Sequence, residues 1–119
     1  MSGTSVDGID AALVRLGGRA DRPRMRLLAF TTVPYPPEVR RRVLRVAGGE
    51  PASAGQISQL NFQLGALFAE AALRVCRRAA VSPKELVVIG SHGQTVHHQG
   101  SARQGAGQLE EALEVWVYG

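Results

Sequence analysis

A chain of 119 residues holds one domain or part of one, and 45% apolar residues against 20% charged ones exclude a disordered protein. A single cysteine excludes an internal disulfide framework, and no apolar run reaches the roughly 20 residues of a membrane span. The net charge of +4 invites a nucleic-acid reading, but the one dense arginine group (Arg40, Arg41, Arg42 and Arg45) has no interleaved aromatics for base stacking, so a solvated helix face is expected.

Residues 1–10 read Met-Ser-Gly-Thr-Ser-Val-Asp-Gly-Ile-Asp and run straight into an apolar stretch. That pattern predicts a tight turn opening onto a strand. Gly3 and Gly8 permit positive φ and a close approach of backbone N–H groups to a ligand. Ser2, Thr4 and Ser5 add hydroxyls, and Asp7 and Asp10 are carboxylates suited to a metal ion or its waters. Phosphate with magnesium fits this set, and so does an ordinary Gly/Ser/Asp turn.

Residues 9–16 predict a short buried strand, residues 19–26 a charged connector containing Pro23, and residues 25–33 a second strand. Pro34, Pro36 and Pro37 then break the chain and open a helix over 38–47, which stops at Gly48 and Gly49. Ser53 is placed as the N-cap of the longest helix, 54–80. Ile57, Leu60, Leu64, Leu67, Phe68, Ala71 and Val75 recur at spacings of three and four and define its core face. Cys76 falls within this helix, where a buried, inert thiol is expected. Ser82 and Pro83 break the chain again, and residues 86–90 read as a fully buried strand of the parallel-sheet kind.

Residues 91–98, Ser-His-Gly-Gln-Thr-Val-His-His, follow that strand. Ligands of open α/β sheets bind beyond the carboxyl ends of strands, which makes this segment a candidate pocket lining. His92, Gln94 and Thr95 both donate and accept hydrogen bonds, as a sugar requires, and His92 is equally suited to bonding backbone. His97 and His98 are adjacent, so on a strand they face opposite sides and do not share a metal ion. Residues 109–118 can form a small amphipathic helix or a strand. The amino terminus has neither a basic nor an apolar signal region, and a cytoplasmic location is the expectation.

The strings at 1–10 and at 90–98 (Gly-Ser-His-Gly-Gln-Thr-Val-His-His) resemble the two N-terminal signatures of the anhydro-N-acetylmuramic acid kinase family. Leu60 to Gly65 and Phe68 to Ala72 resemble that family's long helix. The resemblance implies an α/β fold, the first lobe of a ribonuclease-H-like, actin-like ATPase of the hexokinase type. It implies a kinase of cell-wall recycling that uses ATP and Mg2+ to open 1,6-anhydro-N-acetylmuramic acid with water and phosphorylate O6. On this mapping the ATP-phosphate turn is Gly3, Thr4, Ser5, Val6, Asp7, Gly8, Ile9 and Asp10, with Asp7 and Asp10 around magnesium. His92, Gly93, Gln94 and Thr95 lie beside the sugar. The implied partner is the small sugar, without nucleic acid or membrane, and a homodimer suits the full-length enzyme.

Two departures qualify the mapping. Family members carry a short apolar strand before the first signature, whereas this sequence starts at its Met1. The pattern is expected over 1–99, with 100–119 as a tail outside it. The catalytic aspartate and the second lobe are expected downstream of this chain, which places no catalytic residue within it and predicts that the 119 residues alone are inactive. Three other readings stay open: a different actin-like sugar kinase, a truncated module that binds itself or a partner, and nucleic-acid binding with steep salt dependence.

Overall fold

The computed structural model describes residues 6–99 and 113–117. Strands β1 (Gly8–Arg19) and β2 (Arg22–Pro34) form an antiparallel ribbon registered from Gly8 opposite Pro34 to Arg19 opposite Arg22. The turn is Ala20 and Asp21 alone, so the expected connector over 19–26 does not exist as such: Arg22 to Arg26 is strand. Pro23 is tolerated because a two-stranded ribbon leaves each strand an unpaired side. Opposite it Gly18 has φ +85°, and a Cβ there would lie 2.5 Å from the Arg22 carbonyl oxygen, so only glycine fits.

Near the core the ribbon alternates with period two. Ile9, Leu13, Thr31 and Val33 are buried, while Asp10, Ala12, Phe30 and Thr32 are exposed. The first strand is therefore longer than expected and half-buried, as an antiparallel sheet with one wet face requires. The register shifts between Leu13 and Val14, and beyond that bulge the ribbon leaves the core. There Arg15 opposes Arg26, Gly17 opposes Arg24 and Arg19 opposes Arg22, which puts five arginines on one face. Leu16, Met25 and Leu27, on the other face, are exposed.

Helix α1 (Pro37–Ala47) starts with proline in its first turn, where the missing N–H costs nothing, and buries Val39 and Val43. Helix α2 (Ala54–Arg78) starts at a capping box around Ser53: the Gln56 N–H donates to Ser53 Oγ at 3.2 Å and the Ser53 N–H donates to Gln56 Oε1 at 2.7 Å. It ends two residues before the expected Ala80, which has φ +54°. Leu60, Leu64, Ala71, Val75 and Cys76 form its buried face. One core cluster joins Val6, Ile9, Val33, Tyr35, Val39, Val43, Leu60, Leu64, Ala71 and Val96. A second joins Leu13, Val75 and Cys76, with Leu86 packed against it.

The expected buried strand over 86–90 is not formed. A short 3-10 turn (Pro83–Glu85) leads into it, no strand pairs with it, and Val87, Val88 and Ile89 are 99%, 73% and 67% exposed. An apolar run becomes a buried strand only between neighbouring strands, and β1 pairs only with β2 among the described residues. The second sheet pairs β3 (Gln94–Gln99) with β4 (Leu113–Val117), so part of the 109–118 segment is a strand. The molecule is α/β, and both of its described sheets are antiparallel. No helix among the described residues is long and apolar enough to cross a membrane.

Candidate phosphate-turn and sugar-side segments

The described part of the first signature begins at Val6; Gly3, Thr4 and Ser5 lie outside the described residues. Val6 has φ +52°, a left-handed conformation that a β-branched residue rarely adopts, and its side chain is 1% exposed in the main core. Burial of the isopropyl group holds the residue there. Among the described residues of the turn the left-handed position is Val6 and not Gly8, which is absent from the glycines of positive φ. Glycine at 8 has a packing cause: a Cβ would lie 2.8 Å from Thr32 Cγ2 and 3.1 Å from the Val33 carbonyl oxygen.

Arg40, from the first turn of α1, reaches this turn from the side. Its Nε donates to the Val6 carbonyl at 3.0 Å, and its Nη2 lies 3.7 Å from Asp7 Oδ1. The Asp7 side chain is 75% exposed, open to a ligand. Asp10 sits on the wet face of β1, where Oδ1 accepts a 2.6 Å bond from Thr32 Oγ1. Ile9 points into the core. No group of three metal-binding side chains occurs among the described residues. Two carboxylates are too few for a protein-only magnesium cage, but they match the way magnesium binds beside phosphates, with one or two carboxylates and the rest of its shell from phosphate oxygens and water. The donor set therefore fits magnesium delivered with a nucleotide.

In the second signature Gly93 is buried with φ +70°, and its N–H donates to Ser91 Oγ at 3.0 Å. Gln94 is wholly buried: its Oε1 accepts from the Tyr35 hydroxyl at 3.1 Å and its Nε2 donates to the Thr95 carbonyl at 3.0 Å. Those bonds make Gln94 a strut of the segment, while His92 and Thr95, both half-buried, keep partial access to solvent. The two signatures meet through the core, since Val6, Tyr35 and Val96 share one cluster. The sequence marks Arg40 only as part of an arginine group expected on a solvated helix face, and it gives Tyr35 no functional role. The local signal for Tyr35 is the Pro34-Tyr35-Pro36-Pro37 string, a rigid joint that fixes where α1 leaves the ribbon.

A cleft of about 320 Å³ lies elsewhere, between α1 and the start of α2, lined by Glu38, Arg42, Arg45, Glu50 and Gln59 among others. Its charges are engaged with one another: Glu38 pairs with Arg41 and Arg42, and Glu50 with Arg45.

Residues 1–115 match the family model described as anhydro-N-acetylmuramic acid kinase. Among curated relatives, the anhydro-N-acetylmuramic acid kinase of Caldanaerobacter subterraneus subsp. tengcongensis is 45% identical over 98 residues, covering 82% of this chain and 25% of that protein. The protein of the same name from Gloeobacter violaceus is 42% identical over 118 residues, 98% of this chain and 31% of the relative. That of Bacillus cereus strain AH820 is 40% identical over 115 residues, 97% and 30%. The chain spans about a quarter to a third of the length of the curated relatives it matches.

Proposed function

Because this chain belongs to the anhydro-N-acetylmuramic acid kinase family, we propose that it supplies the phosphate turn and the sugar-side segment of an ATP-dependent sugar kinase. The substrate is 1,6-anhydro-N-acetylmuramic acid. Water opens the anhydro bridge at C1, the freed O6 takes the transferred phosphoryl group, and the products are N-acetylmuramic acid 6-phosphate and ADP. ATP brings the phosphoryl group, and Mg2+ neutralises charge on its oxygens. The observation that carries the reading is the match of residues 1–115 to the family, with both signature segments anchored in one core.

Each residue then has a task. Gly3, Thr4 and Ser5 offer N–H and hydroxyl donors to phosphate oxygens. Asp7, exposed at the end of the turn, takes the metal side, with Asp10 three residues further on. His92 and Thr95 offer hydrogen bonds to sugar hydroxyls, and Gln94 holds their segment against Tyr35. The architecture in this reading is the first lobe of an actin-like, ribonuclease-H-like ATPase, working in the cytoplasm. Phosphoryl transfer asks chiefly for positioning and charge neutralisation, and a turn bearing donors and a carboxylate suits both.

The test is an incubation of the protein carrying this sequence with ATP, Mg2+ and the anhydro sugar in 18O-labelled water. The expected product carries one 18O at C1 and a phosphate on O6. Phosphorylated sugar that still holds the anhydro ring, or transfer to unrelated hexoses instead, overturns the reading. A second reading, a self-associating module, is favoured by one observation, the exposed run Val87, Val88 and Ile89.

A further inference from the structure

We infer that Arg40 is a positioning residue of the phosphate turn: it fixes the left-handed backbone at Val6 and sets the direction of the Asp7 carboxylate. The inference rests on the phosphate-turn reading given above.

Three observations converge on it. A β-branched residue at φ +52° is a strained position, and such positions persist where surrounding structure over-determines them. Here the side chain of Val6 is clamped by the core and its carbonyl by Arg40 Nε at 3.0 Å, so the residue is held at both ends. The same guanidinium turns Nη2 toward Asp7 Oδ1 at 3.7 Å. One planar fork thus reads two consecutive residues of the turn, which a lysine ammonium does not do.

Stability is a poor explanation for the arrangement. The Arg40 side chain is 44% exposed and that of Asp7 75%, and an ion pair so solvated at 3.7 Å is weak. The bond to the Val6 carbonyl is directional, and its effect is on where the following N–H groups and Asp7 point. Arg40 also stands at a fixed distance from the ribbon, because Pro36 and Pro37 start α1 immediately after Tyr35.

The experiment compares the parent protein with Arg40→Gln, Arg40→Lys and Asp7→Asn by three measurements: the Kd for MgATP, the thermal midpoint, and the nucleotide-free amide chemical shifts of Asp7 and Gly8. Arg40→Gln is expected to raise the MgATP Kd about tenfold, a loss typical of a slightly misplaced binding group, while the thermal midpoint stays within about 2 °C. The Asp7 and Gly8 amide resonances move in the same variant before any nucleotide is added. Arg40→Lys is expected to fall between parent and Arg40→Gln in both readouts. If Arg40→Gln does not fold, Arg40→Lys decides, since it keeps charge and stem and loses only the fork. Unmoved amides, or a Kd equal to the parent's, overturn the inference. So does a fall in thermal midpoint that accounts for the whole loss of binding. If Asp7→Asn weakens MgATP binding and Arg40→Gln does not, the phosphate-turn reading stands and only the role of Arg40 fails. If neither weakens it, or the parent binds no MgATP, the turn reading fails and takes the inference with it.

Discussion

At Val6 two effects oppose each other, and their sizes decide what a substitution does. A left-handed β-branched residue costs about 1–2 kcal/mol, whereas full burial of a valine side chain contributes about 1.5–3 kcal/mol. With the residue 1% exposed, burial wins, so Val6→Gly relieves the backbone and still lowers stability by about 1 kcal/mol, read as a shift of the urea midpoint. Gly8 is limited by space. Its added methyl would press on the Val33 backbone at 3.1 Å and on Thr32 Cγ2 at 2.8 Å, and Gly8→Ala is expected to cost about 1–3 kcal/mol in the same measurement. A neutral result there would mean that the ribbon yields at its first pair. Tyr35→Phe removes one donor to the buried Gln94 and should cost about 1 kcal/mol. In the kinase reading it also loosens the sugar-side segment, raising the sugar KM more than that for ATP.

Elements show the balance between local and cross-chain terms. The capping box at Ser53 is a local device, so Ser53→Ala should destabilise by about 1 kcal/mol wherever α2 packs. A change under a few tenths would show that the Gln56 side chain alone satisfies the end. The distal ribbon obeys cross-strand terms. Arg15 directly opposes Arg26, and like charges so placed are unfavourable, whereas Arg19 has Asp21 at 3.2 Å. Arg26→Glu is expected to stabilise by about 0.5 kcal/mol at low ionic strength, with the gain fading as salt rises. Thermal midpoints at two salt concentrations check it, and a gain that does not fade rules out charge as the cause.

At the scale of the whole molecule the open question is what covers the apolar surface. Val87, Val88 and Ile89 lie in sequence and are all largely exposed, and Leu16, Met25 and Leu27 form a second apolar face on the ribbon. Isolated exposed apolar side chains are ordinary, but three in a row on an unpaired segment favour strand addition. Sedimentation of the purified chain is expected to show concentration-dependent association that the double substitution Val88→Lys, Ile89→Lys reduces. An association constant unchanged by that substitution would place the contact elsewhere.

Much of this molecule is legible in residue order. The two signature strings, the long helix with its Ser53 cap (expected to Ala80, observed to Arg78), the proline start of α1 and the burial of Cys76 all follow from neighbours within a turn or two. These are local interactions, and local interactions are written in the order of residues. Other features required the fold. Arg40 meets Val6 across 34 positions and Tyr35 meets Gln94 across 59, and no spacing rule announces either. The cross-strand register alone gathers Arg15, Arg19, Arg22, Arg24 and Arg26 onto one face. The run over 86–90 has the composition of a buried strand and is left exposed, because burial depends on a neighbouring strand and not on the segment itself. Sequence by itself determined the family, the Ser53 cap and the core face of α2. Tertiary structure decided which side chains meet, since contact between distant residues depends on how whole elements pack.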